Sequence, residues 1–552
     1  MSAVAAATLA PSGTMPRAFG STLTGTWRLV RFMLRRDRVR LTVWVLVVTA
    51  LYASQLGEYA VLADDPNGLA TRALLMRTPA MISMAGPGYG LDSYTVGAAV
   101  ANELVLWIVL TLAVLSILQV VRHTRAEEES GRSELVRAGA VGRHAPSVAA
   151  LITVLLANVV IAALTGAVLV SAGLPAVDSF AMTAGSGLAA LVFGAAALVA
   201  CQVTEHARGA SGLGFAVLGA AFVLRAIGDI QEEHGSVLSW LSPIGWAQQT
   251  RSFVDLRWWP LALCVVAIVL LLLLAAFLAS RRDFGSGLVA TRRGRADAYA
   301  GLDGPFALAW TQQRSALLWT SLGLGVMWLA TGSILSALPD MMETLRDNPI
   351  YSTVLGEGDL VRAFIGIMGL YAAFGGAGYA VAMSLRVKAE EESGLAEYLL
   401  ATPVSRARWL GAYLAVAGIG TAVVTMSGVV ALWVGAAGAG VTDPTFGEFV
   451  GLGAAYLPAL AVLTALAVAL YAWVPRATPV LWALFGYMFV VGLFGELLGL
   501  PDWARGISPF WWVPNTLVQD VEVADVVGLC AVAVVLFAVA FAGFRRRDVP
   551  TV

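Results

Sequence analysis

At 552 residues, 59% of them hydrophobic and 13% charged, with a mean hydropathy of +0.78, the chain is too apolar for an ordinary water-soluble protein, in which about a quarter of residues are charged. Its formal net charge of −1 carries little information, because the distribution of Lys and Arg among loops sets the orientation of a membrane protein, not their sum. Three cysteines, Cys201, Cys264 and Cys530, far apart and without metal-ligand spacing, exclude a disulfide framework and a cysteine-based metal centre.

Residues 1–26 are rich in Ala, Ser, Thr and Gly and lack the basic start, apolar core and cleavage site of a signal peptide; they read as a flexible cytoplasmic N-terminal tail. Thr24 is placed to cap a helix on which Trp27, Val30 and Leu34 recur at helical spacing, beside Arg28, Arg31, Arg35 and Arg38. That pattern suits a helix lying in the membrane interface. About twelve apolar stretches follow, near 39–57, 97–121, 147–171, 182–203, 210–228, 259–280, 316–337, 363–385, 409–437, 450–474, 478–499 and 525–544. Each approaches the roughly 20 residues needed to cross a hydrocarbon core. The expected fold is therefore an all-α polytopic membrane protein.

Arginines cluster before the first span (Arg35, Arg36, Arg38), between the second and third (Arg122, Arg125, Arg132), between the halves (Arg281, Arg282, Arg292) and at the end (Arg545, Arg546, Arg547). By the positive-inside rule, all these clusters and both termini are cytoplasmic. The Arg-dominated, Ala-, Gly- and Val-rich composition suggests a GC-rich bacterial genome, so the expected location is a bacterial plasma membrane.

An internal repeat organises the chain. Arg125-Ala-Glu127-Glu128-Glu129-Ser130-Gly131 recurs as Lys388-Ala-Glu390-Glu391-Glu392-Ser393-Gly394, in each case after the second span of a half. The register continues through Glu134 and Glu397, Ser242-Pro243 and Ser508-Pro509, and the basic stops Arg281-Arg282-Asp283 and Arg546-Arg547-Asp548. The reading is a first six-helix half over 27–282, a cytoplasmic linker over 283–304 and a second six-helix half over 305–552. The halves form two parallel repeats, a pseudo-dimer about an axis along the membrane normal.

A phosphate-cradling loop needs G-x-x-x-x-G-K-[ST], and the chain's single lysine, Lys388, stands in Arg-Val-Lys-Ala-Glu. No catalytic residue, metal site or cofactor is expected in this chain, and no nucleic-acid partner. Three consecutive glutamates are too costly to place in hydrocarbon, so both acidic segments face the cytoplasm. Glu128, Gly131 and Leu135, with Glu391, Gly394 and Tyr398, fall at helical spacing, which predicts a short amphipathic helix in each half as a docking surface for a dimeric partner.

Residues 390–406, Glu-Glu-Glu-Ser-Gly-Leu-Ala-Glu-Tyr-Leu-Leu-Ala-Thr-Pro-Val-Ser-Arg, resemble the coupling-helix region of type-2 ABC-transporter permeases. The two-half layout resembles the actinobacterial branch of fused polyketide-antibiotic exporters that includes tetronasin-resistance permeases. The resemblance implies a multidrug-type efflux permease worked by two copies of a separate ABC ATPase subunit, which hold ATP and Mg2+, and a small amphiphilic substrate carried across the lipid bilayer. Glu127, Glu128, Glu129, Gly131, Glu134, Glu390, Glu391, Glu392, Gly394 and Glu397 would then belong to the ATPase contact. The first copy has Gly139-Ala140 where the second has Thr402-Pro403, so its coupling helix is expected to end differently.

Tryptophan-rich segments before the last span of each half suggest an outer gate containing Asp229, Trp240, Pro243, Trp246, Glu496, Pro509, Trp511 and Trp512. Glu103 lies within a span and has Gly366 as its counterpart in the other half. As an intramembrane acid it is a candidate for an asymmetric substrate contact. An ion-coupled secondary transporter of major-facilitator-like layout is the alternative reading. A membrane enzyme is a third, weakened by the absence of clustered His, Cys or paired carboxylates.

Overall fold

The computed structural model describes residues 22–64, 68–283, 285–289, 297–298, 301–337, 360–495 and 500–547. The chain divides into two compact units, residues 1–294 and 295–552. Among the described residues every regular element is helical, and eleven helices are long and apolar enough to cross a membrane.

The first unit opens with helix Thr26–Arg36. Its N-cap is Gly25, at φ 84°, and not Thr24; the Thr24 carbonyl instead accepts from the Gly142 amide at 2.9 Å. Val30 and Met33 are buried against Ala149 and Ala150 of a later helix, whereas Trp27 is 55% exposed.

Six spanning helices follow: Arg38–Asp64, Val96–His123, Ala145–Ser171, Ala176–Val203, Ala207–Gln231 and Trp259–Arg281. The fourth packs against the second, third, fifth and sixth. Its buried positions include Gly185, Ser186, Gly187, Ala189, Ala190, Gly194, Ala195 and Ala197. Small side chains let neighbouring backbones approach closely, which gives dispersion contact that lipid cannot match. The Leu-rich sixth helix is the opposite case: Leu270, Leu273 and Leu274 are exposed, the composition of a lipid-facing surface.

In the second unit, helix Pro305–Ile334 runs along Arg406–Gly438. A Cβ placed at Gly435 would lie 2.1 Å from the Leu329 carbonyl oxygen, so only glycine permits this crossing. Leu360–Ser384 supplies the second span, Phe446–Ala455 and Leu457–Trp473 the fourth, and Val523–Arg546 the last. Ser405 caps the third, accepting from the Arg408 amide at 3.2 Å. The stretch expected to span near 478–499 is a helix only over Val480–Phe494. Its 15 residues reach about 22 Å at 1.5 Å per residue, short of a roughly 30 Å core; residues 496–499 lie outside the described ones.

Candidate functional site

Each acidic segment continues the second spanning helix of its unit and then breaks. Helix Arg125–Glu129 is followed by Gly131 at φ 72° and a new helix, Arg132–Arg137. Helix Arg386–Glu392 is followed by Gly394 at φ 74° and Leu395–Leu400. The single amphipathic helix expected from spacing is therefore two helices joined at a left-handed residue, a conformation glycine adopts without a Cβ penalty. Arg137 and Leu400 are repeat equivalents, so the two distal helices end in the same register. The expectation that they end differently fails, because the turns match: Val141 donates to the Gly139 carbonyl at 2.8 Å and Val404 to that of Thr402 at 2.7 Å.

The glutamates are mostly engaged within their own unit. Glu127 pairs with Arg36 at 2.7 Å, and Glu129 accepts from the Ala207 amide at 2.9 Å at the start of the fifth span. Glu128 receives both terminal nitrogens of Arg282, at 2.8 and 2.9 Å, and Arg125 at 2.6 Å. Arg125 is 1% exposed and also donates to the carbonyls of Glu205, Gly285 and Ser286. In the second unit Glu390 pairs with Arg386 at 3.5 Å, and Glu391 accepts from Arg547 and the Tyr471 hydroxyl. Lys388 donates to Thr478 Oγ1 at 2.7 Å and to the Pro475 carbonyl at 3.1 Å. Glu392 remains two-thirds exposed, with Lys388 3.6 Å away.

The segments present both charged and apolar side chains outward. On the distal helices Leu135 and its repeat equivalent Tyr398 are 79% and 78% exposed; Glu134 is exposed beside Leu135, and Glu397 is half-buried.

Beneath the first segment lies a cavity of about 310 Å³ lined by residues including Phe32, Met33, Arg36, His123, Glu127 and Arg282. At its edge Asp37, buried between helix Thr26–Arg36 and the first span, faces His123 Nε2 at 2.8 Å and Arg122 at 3.1 Å. Burial alone would raise the Asp37 carboxyl, but the Gln119 amide and the charges of His123 and Arg122 hold it below its ordinary value.

At the opposite end of the spans, the expected gate residues form braces repeated in both units. The Trp246 indole donates to the Trp240 carbonyl at 2.6 Å, and the Trp512 indole to the Gly506 carbonyl at 3.0 Å. Trp240 stacks on Trp259 with centroids 4.9 Å apart, and Trp511 meets Trp512 edge-on at 4.9 Å. Pro243 opens the short helix that carries Trp246, and Pro509 the one that carries Trp511 and Trp512. Asp229 accepts from Ser239 Oγ at 2.5 Å and pairs with Arg225 at 3.3 Å. Glu496 lies outside the described residues.

Glu103 is occupied as well. Its carboxylate accepts from Tyr59 at 2.9 Å, Tyr94 at 3.3 Å and Arg72. Sequence reading missed Arg72, which lies on a short helix between spans, Gly68–Met76.

These features define a polytopic α-helical membrane protein. Residues 302–545 match the family described as multidrug efflux system permease Rv1217c, C-terminal domain. The chain is also 36% identical, over 545 residues and 98% of both chains, to the multidrug efflux system permease protein Rv1217c of Mycobacterium tuberculosis (strain H37Rv). It belongs to this family of multidrug efflux permeases. Neither name specifies polyketide or tetronasin cargo, so the family stands at that broader level.

Proposed function

We propose that this chain is the transmembrane subunit of an ATP-driven ABC exporter, which moves amphiphilic drugs, antibiotics or lipid-like compounds out of a bacterial cell by alternating access. Two copies of a separate ABC ATPase subunit bind ATP and Mg2+ and dock on the cytoplasmic tips around Leu135 and Tyr398. The observation that carries this reading is the pair of repeat-equivalent, nearly four-fifths exposed apolar residues, each beyond an acidic segment, in a chain whose only lysine is placed outside any phosphate-binding loop.

The test is co-expression with a candidate ABC ATPase subunit from the same organism. Leu135→Asp with Tyr398→Asp is expected to accumulate normally in the membrane, to lose the ATPase on purification and to stop ATP-dependent ethidium efflux. Efflux that persists in the absence of any ATPase subunit and collapses with the proton gradient would overturn the proposal in favour of ion-coupled transport.

A further inference from the structure

The middle glutamate of each acidic segment is tied to the basic residue that ends the sixth span of the same unit. Glu128 holds Arg282 across 154 residues of chain, and Glu391 holds Arg547 across 156. Both partners are repeat equivalents, because Glu391 follows Glu128 by 263 positions and Arg547 follows Arg282 by 265. The end of the fourth span completes each cluster. Gln202 Oε1 accepts from Arg282 Nε at 2.8 Å. Tyr471 donates its hydroxyl to Glu391, offers its carbonyl to Arg547 at 3.3 Å and lies under that guanidinium, 4.9 Å from ring centroid to Cζ.

The residue that opens each segment grips the link between the fourth and fifth spans, Arg125 through the Glu205 carbonyl and Lys388 through Pro475 and Thr478. The same three-way tie is thus built twice from different side chains, Gln202 in one unit and Tyr471 in the other. A solvated charge run has no reason to reproduce such ties in both units.

We infer that Arg282 and Arg547 are positioning residues which lock each docking segment to the fourth and sixth spans of its own unit, so that a push delivered at Leu135 or Tyr398 moves those elements as one body. The guanidinium suits this role: Arg282 grips Glu128 with two parallel charge-assisted bonds, which fix orientation as well as distance, and Arg547 divides its two terminal nitrogens between Glu391 and the Tyr471 carbonyl. The inference rests on the proposed docking of an ATPase at these tips.

The experiment uses the full chain with its ATPase subunits in lipid nanodiscs. Spin labels are placed at Ala401→Cys, beside the second docking helix, and at the native Cys530 on the last span, which is exposed while Cys201 and Cys264 are buried. In the otherwise unaltered chain, trapping the complex with ATP and vanadate is expected to leave the interlabel distance unchanged within about 2 Å, the scale of a single helix shift. In Arg547→Gln the ATPase should still co-purify at the unaltered level while the distance shifts or broadens beyond that range on trapping. The exchanged pair Glu391→Arg with Arg547→Glu should restore the narrow distribution.

If Arg547→Gln does not accumulate, Arg547→Lys keeps the charge, loses the fork and is expected to show the same broadening. An interlabel distance that changes on trapping in the unaltered chain, or one that stays fixed without the arginine, overturns the inference. Loss of the ATPase from Arg547→Gln overturns it too, because the pair would then only shape the docking surface. An unaltered chain that captures no ATPase overturns the parent reading, and this inference with it.

Discussion

Arg125 and Lys388 occupy equivalent places in the repeat, yet the structure predicts unequal costs for removing them. Arg125 is 1% exposed; replacing it by methionine strips hydrogen bonds from three backbone carbonyls and one of the two arginines from Glu128. Breaking a buried charged network of this kind costs about 3–5 kcal/mol. The Lys388 side chain is 25% exposed, donates to two neutral acceptors, and has the exposed Glu392 carboxylate 3.6 Å away. Lys388→Met should therefore cost about 1 kcal/mol, the net worth of an ordinary hydrogen bond. Denaturant titration of the two variants in mixed micelles, followed by loss of helical signal, measures the difference. Equal destabilisation, within about 1 kcal/mol, would refute the claim that burial of the anchor distinguishes the copies.

Gly435→Ala forces a methyl group to within 2.1 Å of the Leu329 carbonyl and should destabilise by roughly 1–3 kcal/mol or more in the same titration, whereas Gly438→Ala, with nothing within 4 Å, should be neutral or mildly stabilising. Asp37 has a folded pKa below its unfolded one, so its contribution is present above about pH 3.9 and is lost as pH falls through the folded value. Asp37→Asn should flatten the acid limb of a stability-against-pH curve, and an unchanged limb would place the stabilisation elsewhere. In a Cys530→Ser background, Tyr398→Cys should resist a membrane-impermeant maleimide in intact cells and react after permeabilisation; labelling of intact cells would reverse the proposed orientation.

Hydropathy made most of the fold legible, because a helix that must satisfy its own backbone in lipid is written as a long apolar run. The exception is Val480–Phe494. There Pro475 and Pro479 precede the helix, which is described only as far as Phe494 with Gly495 after it. The acidic segments were legible as a duplication, but their partners were not. Arg282 and Arg547 lie more than 150 residues away, beyond the reach of any local spacing rule.

The usable signal was that these arginines recur at almost the same offset as the glutamates, which is what a conserved pairing within each half leaves behind. Helical spacing through Glu128, Gly131 and Leu135 also hid the break. Ser130-Gly131 and Ser393-Gly394 are breaker dipeptides, and they deserved more weight than the periodicity. Glu103 read as a free intramembrane acid because its cation, Arg72, sits in a segment too short to register as a span.

The engagement of the glutamates changes what a docking partner can recognise. Glu127, Glu128 and Glu391 are already neutralised by arginines of their own unit, and a partner's cations would have to displace bonded guanidinium groups to reach them. Attraction by open charge is left mainly to the exposed Glu129, Glu134 and Glu392, whereas Leu135 and Tyr398 offer apolar area. Fully burying a leucine side chain is worth about 1.5–3 kcal/mol, while an exposed ion pair contributes about 0–1 kcal/mol. The apolar tips should therefore dominate the proposed ATPase contact. Raising salt to 1 M shortens the screening length to about 3 Å and should leave ATPase capture largely intact, whereas Leu135→Ala with Tyr398→Ala should weaken it sharply at every ionic strength. Capture that falls away with salt and tolerates both truncations would move recognition from the tips back to the exposed glutamates.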